Sequence, residues 1–290
     1  MIGEAQISAV VERVLRRLAE QRAEQRTAEA APRADAAEAI ADIAAVDLRE
    51  QYLVDRPHDR EAFMALKRAT PARVGIGQAG ARHRTQTMLR FQADHAAAQD
   101  AVFGDVDDAL LGQLGLPRFR TLCASRDEFL TRPDKGRAFA PETLDRIAAH
   151  VGGGAQVLLY LADGLSLTAV KAAAADILPI IRRGLEGYGI SVAPPFFVEY
   201  GRVGTMDALA ERLNPEIACV LLGERPGLVT AESMSAYMAY RPTPGMPESR
   251  RTVLANIHRG ATPVVEAGAH IVDLIRLMLT KKVSGVELQL

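Results

Sequence analysis

QVLLYLADGLS, residues 156–166, decides the fold. Gln156–Leu161 is a short apolar run, and it stops at a polar, glycine-containing turn, Ala-Asp-Gly-Leu-Ser. The run is too short for a helix and too uniformly apolar for a strand with one wet face, so it reads as a strand buried on both faces. The same pattern returns at residues 217–227, IACVLLGERPG. Between the two runs, Thr168–Leu185 has helical spacing, with a kink or break expected near Pro179. Ile190–Val192 and Phe196–Tyr200 carry β-type residues, Met206–Leu213 is helical, and Val264–Leu279 forms a last helix. Apolar runs alternating with helices imply βαβ units, hence an α/β fold with a mostly parallel sheet. Ligands of open α/β sheets bind at the carboxyl ends of the strands. That places Asp163, Gly164, Ser166, Gly223, Glu224, Arg225 and Gly227 where chemistry would sit. Ordinary βα turns are the competing reading.

Upstream, residues 46–150 read as mainly helical. Asp59–Arg68 carries Ala62, Phe63 and Leu66 on one side, and Thr85–Val102 is a longer helix. Between them lies RVGIGQAGA, residues 73–81, followed by Arg82, His83 and Arg84. Glycines, arginines and then a helix start resemble a phosphate cradle. However, GxxxxGK[ST] is missing and the strand leading into GIGQAG is too short for a dinucleotide fingerprint. A structural arginine cluster, pairing with Asp94 or with a neighbouring subunit, accounts for it better. The turn at residues 131–137, TRPDKGR, predicts a local ion-pair network of Arg132, Asp134 and Arg137.

At the start of the chain, Ile7, Val10, Val11, Val14, Leu15 and Leu18 recur at helical spacing, giving an amphipathic helix over residues 1–20. Residues 21–45 are rich in Ala, Glu and Arg around Pro32 and read as a linker. A tethered amphipathic helix has no core of its own, so it should dock elsewhere: on its own protein, on a partner or shell, or on a membrane surface. The expected organisation is therefore helix 1–20, linker 21–45, helical segment 46–150 and sheet domain 151–290.

Lys plus Arg (35) nearly balances Asp plus Glu (36), which argues against a dedicated nucleic-acid binder. Two cysteines, Cys123 and Cys219, make no CxxC and read as buried apolar residues of a cytoplasmic protein. No apolar run reaches 18 residues, so no membrane helix is expected. No GxSxG, HExxH or defensible triad is present. The chain offers no catalytic residue and no metal ligand.

Seven strings carry a resemblance. ARVGIGQAGARHRTQTMLRFQADHAAAQDAV (72–102), LTRPDKGR (130–137), ADGLS (162–166), PPFFVEYGRV (194–203), LLGERPGL (221–228), NIHRGATPVVEA (256–267) and VSGVELQL (283–290) occur in order. Together they resemble the small subunit of ethanolamine ammonia-lyase, from about Leu48 to the end. Lys135 replaces an apolar residue in the RPDxGR turn, and Val264 stands where a second proline is usual.

The resemblance implies a Rossmann-like domain over residues 151–290, lying over part of the corrin of adenosylcobalamin. It also implies a hetero-oligomer with a large subunit that converts ethanolamine to acetaldehyde and ammonia by radical chemistry. Such a chain would not be active alone. Three cofactor-binding positions carry over: Val203 in YGRV, Glu224 in GERPGL and Val253 in RTxxxNIH. At Val253 only an apolar or backbone contact is available. None of the six histidines stands in an Asp-x-His-x-x-Gly loop, so the cofactor is expected to keep its own benzimidazole on cobalt. The expected location is cytoplasmic, in a bacterial microcompartment, with residues 1–20 as a possible shell contact. The alternatives are a non-catalytic docking scaffold and an independent nucleotide-binding enzyme.

Overall fold

The computed structural model describes residues 46, 47, 50–105 and 107–289. The amphipathic stretch 1–20 and the linker 21–45 lie outside the described residues. The first helix among the described residues, α1 (Arg60–Arg68), starts at Asp59, whose carboxylate accepts the Ala62 N–H at 2.9 Å. A two-residue hairpin, β1 (Gln78–Ala79) and β2 (Arg82–His83), then leads into α2 (Thr85–Phe103). The glycine-rich RVGIGQAGA stretch thus leads into a turn and hairpin, and Arg73 and the following Arg84 are engaged in ion pairs. Arg73 and Arg90 both reach Asp94, at 2.5 Å and 2.9 Å, and Arg84 pairs with Asp55.

After α3 (Asp108–Leu114) come β3 (Arg118–Arg120), α4 (Arg126–Thr131) and α5 (Pro141–Val151). Then follow β4 (Val157–Ala162), α6 (Leu167–Gly187), β5 (Phe197–Glu199), α7 (Thr205–Leu213) and β6 (Ile217–Gly223). The chain ends with β7 (Met234–Tyr240), β8 (Thr252–Ile257) and α8 (Val264–Lys281). One sheet of six strands runs in the order β3-β5-β4-β6-β7-β8. The first four are mutually parallel, while β7 is antiparallel to both its neighbours. The α/β class and the mostly parallel sheet agree with the sequence reading. The sheet also takes in β3, from upstream of residue 151.

Both faces of the sheet are covered. Alternate residues of β4 divide between them: Val157, Leu159 and Leu161 face α6 and α8, whereas Leu158, Tyr160 and Ala162 face α5 and α7. Helix α6 is unbroken across Pro179. Its nine buried side chains, Leu167 to Leu185, lie on one flank and hold it against the sheet and α8. Burial of this size, roughly 1.5–3 kcal/mol per large apolar side chain, outweighs one lost backbone hydrogen bond. Ile190–Val192 forms only a single bridge, Val157 to Val192. Cys123 and Cys219 are both buried and unpaired, as expected.

The TRPDKGR turn differs from the expected network. Arg132 pairs with Asp134 at 2.7 Å, but Lys135 turns to Glu128, and the Arg137 side chain lies along Gly204. The physical reason is the proximity of α4, which brings Glu128 nearer to the turn than sequence spacing suggests.

Candidate functional site

The connections around β4 define where a ligand could sit. From β4 the chain passes through α6 on one face to β5; from β5 it returns through α7 on the other face to β6. Adjacent loops leaving β4 and β5 toward opposite faces create the crevice that open α/β sheets use for ligands.

Here that crevice is filled by the protein itself. Asp163, at the end of β4, is fully buried. Its Oδ1 accepts the Gly201 N–H at 3.1 Å, and its Oδ2 accepts from Arg126 at 2.9 Å. Arg126 also donates to the Gly164 carbonyl at 3.1 Å, and its guanidinium lies 4.9 Å from the Tyr200 ring centre. Burial pushes the Asp163 carboxyl up to about 6, against the pull of Arg126 and of backbone N–H groups.

The loops behind Asp163 are equally closed. A Cβ on Gly223 would lie 2.0 Å from the Ser166 carbonyl oxygen, and one on Gly164 would lie 2.4 Å from the Gly223 carbonyl oxygen. The Ser166 hydroxyl caps α6 by accepting the Ala169 N–H at 3.1 Å, and it donates to the Ala231 carbonyl at 2.5 Å. A phosphate would find no room there. Asp163, Gly164, Ser166 and Gly223 are therefore turn and packing residues, which counts against the nucleotide-enzyme alternative.

The open part of the same edge lies beyond β6. Glu224 follows β6 directly and is half-buried. Its carboxylate accepts the Ser233 hydroxyl at 2.6 Å, the Ser235 hydroxyl, and the Asn256 N–H at 3.2 Å. This arrangement closes a β-bulge. In the β7–β8 register Met234 pairs with Ile257 and Ala236 with Leu254, so Ala255 and Asn256 both stand opposite Ser235. Asn256 has φ +57°, a left-handed conformation that asparagine tolerates better than most residues.

Val253 lies opposite Tyr237 and so points to the same face. It is 44% exposed, on the outermost strand. Val203 follows β5 and packs, partly buried, against the core cluster that includes Tyr160, Phe196 and Met206. Of the three residues singled out from sequence, Glu224 and Val203 lie past the carboxyl ends of β6 and β5, whereas Val253 stands mid-sheet on β8, level with Val220 across Tyr237. Arg225 and Gly227 are exposed in the loop after β6. Sequence reasoning missed Ser233, Ser235, Asn256 and Arg126. The serine pair had a signal, since Ser233 and Ser235 stand at the period of a strand and share a face.

A cleft of about 340 Å³ opens beside Gly204, between Arg137, Asp207, Glu211, Met246 and Glu248. Two of its acids, Asp207 and Glu248, are engaged by the buried Arg251 at 2.7 Å and 2.8 Å. It offers no nucleophile beside a base.

The profile of the family "Ethanolamine ammonia-lyase light chain (EutC)" matches residues 60–289. The chain belongs to the ethanolamine ammonia-lyase light-chain family. The small subunit of ethanolamine ammonia-lyase from Clostridium tetani is 57% identical over 251 residues, covering 87% of this chain and 85% of the relative. That from Clostridioides difficile is 48% identical, covering 99% and 100%. That from Listeria innocua is 45% identical over the same shares. As a light chain of this family, the protein is a subunit of a lyase. None of the helices among its described residues is long and apolar enough to cross a membrane.

Proposed function

We propose that this chain is the small subunit of an adenosylcobalamin-dependent ethanolamine ammonia-lyase, and that the carboxyl ends of β5 and β6, with the exposed face of β8, are its part of the cofactor wall. Family membership carries the reading, together with the open stretch beyond β6. The residues there suit a corrin. The sheet from β5 to β8 spans four strand spacings, about 19 Å at about 4.8 Å each, a breadth suited to a macrocycle with amide arms. Val253 and Val203 supply apolar contact. A carboxylate has about four acceptor positions, and the three donors around Glu224 leave roughly one, on Oε2, for an amide N–H.

Bound adenosylcobalamin supplies the radical chemistry that turns ethanolamine into acetaldehyde and ammonia in the large subunit. This chain's residues bind, orient and exclude water: Val253 and Val203 as a dry wall, Glu224 as a fixed acceptor. The Rossmann-like description fits the β4–α6–β5–α7–β6 core, with the β7–β8 pair added antiparallel at one side. Co-expression with a large subunit, followed by a visible spectrum of the purified complex, tests the reading. A complex that retains cobalamin, and loses it when the GERPG loop is replaced, supports it. A complex that binds cobalamin equally with the loop replaced overturns it.

The tethered stripe of residues 1–20 favours a second role, docking to a microcompartment shell. Deleting residues 1–19 should leave activity of the complex intact and abolish co-localisation with the shell. Loss of assembly instead would assign that segment to the enzyme.

A further inference from the structure

We propose that Ser233 and Ser235 are positioning residues, whose hydroxyls fix the Glu224 carboxylate and the β8 bulge as one unit and so set how Glu224 and Val253 meet the cofactor. The proposal rests on the cofactor reading above.

Glu224 belongs to the turn after β6, yet every polar contact of its carboxylate goes to the β7–β8 side. Oε1 takes the Ser235 hydroxyl and the Asn256 N–H; Oε2 takes the Ser233 hydroxyl. Both serines are buried, Ser233 to 8% exposure and Ser235 to 1%, so water cannot readily replace them. The backbone adds a further tie, with the Glu224 N–H donating to the Ser233 carbonyl at 2.9 Å. Three χ angles of a glutamate are costly to order, and two buried hydroxyls set that order before any ligand arrives.

The bulge matters for a second reason. With two residues of β8 opposite Ser235, the strand turns locally, and bulges of this kind re-aim neighbouring side chains. Val253 lies three positions before Asn256 on the same strand. The carboxylate that accepts from Asn256 therefore also fixes the strand that presents Val253. Two cofactor positions that look independent in the sequence are coupled through one carboxylate.

The test uses the complex of this chain with its large subunit. Dissociation constants for adenosylcobalamin are measured by visible absorbance in the dark, for wild type, Ser233→Ala, Ser235→Ala, the double serine variant, Glu224→Ala and the triple variant. Assembly of each complex is followed by size-exclusion chromatography. The double serine variant should bind about five- to tenfold more weakly while remaining assembled, the loss expected for hydrogen bonds to a charged group. In the Glu224→Ala background the same serine changes should alter the constant by less than about twofold. Equal losses with and without Glu224 would show that the hydroxyls act independently of it, and would overturn the proposal. So would unchanged binding in the double serine variant when Glu224→Ala binds weakly; that result leaves the cofactor reading standing. If Glu224→Ala itself binds as wild type, the assignment of Glu224 as a cofactor contact fails, and the proposal falls with it. Ser233→Ala, at the rim, guards against misfolding: it should be assembled and about two- to fivefold weaker, and an assembled Ser233→Ala with wild-type affinity contradicts the role of Oε2.

Discussion

Glu224 shows how one side chain can be read two ways. In sequence it is an acid after an apolar run; in the structure it also accepts three donors from β7 and β8. Glu224→Ala would leave the Asn256 N–H and two hydroxyls without their acceptor. Chemical denaturation of the isolated chain should show a loss of about 1–3 kcal/mol, and an unchanged midpoint would argue that water replaces the carboxylate without cost. Asp163 gives a second prediction. Its folded carboxyl titrates near 6, above the ordinary value of about 3.9, because burial disfavours the charge. Between those values the native state holds a proton that the unfolded chain has released. The contribution of Asp163 is therefore fully present below about pH 4 and declines as pH rises through 6. The stability of wild type relative to Asp163→Asn should fall by on the order of 1–3 kcal/mol between pH 4 and 7, measured by urea unfolding. A difference that stays flat over that range would show that Asp163 titrates as an exposed acid. Neither role was legible in the sequence. A buried partner such as Arg126, 37 positions upstream of Asp163, leaves no local pattern.

At the scale of elements, the sequence was most legible where burial is two-sided. The runs at 156–161 and 217–222 became β4 and β6 almost residue for residue, since a strand covered on both faces must be apolar throughout. The antiparallel pair β7 and β8 escaped, because the largely buried MSAYMAY mixes small and polar residues among its apolar ones, and TVLANI, on the outermost strand, is partly exposed. Helix α6 was legible in extent, and its continuity through Pro179 was decided by packing that local propensity does not describe. That packing is close. A Cβ on Gly184 would lie 2.7 Å from Val272 Cγ2, and one on Gly268 would lie 2.6 Å from Ile180 Cγ2. Helix propensity favours Gly184→Ala by about 1 kcal/mol, while over-packing against a stiff β-branched side chain costs about 1–3 kcal/mol. The substitution should therefore lower the thermal midpoint. Val272→Ala should cost less in the Gly184→Ala background than alone, by at least about 0.5 kcal/mol, because it removes the obstructing methyl. Strict additivity would mean that α6 and α8 can separate freely at that point.

For the whole molecule, the family was legible through strings spread from residue 72 to the end, and the family match covers residues 60–289. The site was less so. Val203 and Glu224 lie past the carboxyl ends of β5 and β6 while Val253 lies mid-sheet on β8, and the sequence could not show that Glu224 holds β8 through Asn256, or that the usual crevice is plugged by Asp163 and Arg126. A subunit with a plugged crevice, no catalytic constellation among its described residues and an open stretch beyond β6 should act only with a partner. The purified chain, given ethanolamine and adenosylcobalamin, should form no acetaldehyde, whereas the complex with the large subunit should; acetaldehyde from the chain alone would refute a wall-only role. The cofactor wall itself is tested most directly at Val253, which is 44% exposed and makes its proposed contact through apolar surface alone. Val253→Asp should leave folding and assembly unchanged and put a charge against the corrin. Titration of the assembled complex with adenosylcobalamin, read by visible absorbance in the dark, should give a Kd at least about tenfold higher than wild type, or about 1.4 kcal/mol. An assembled Val253→Asp complex with the wild-type Kd would contradict the account.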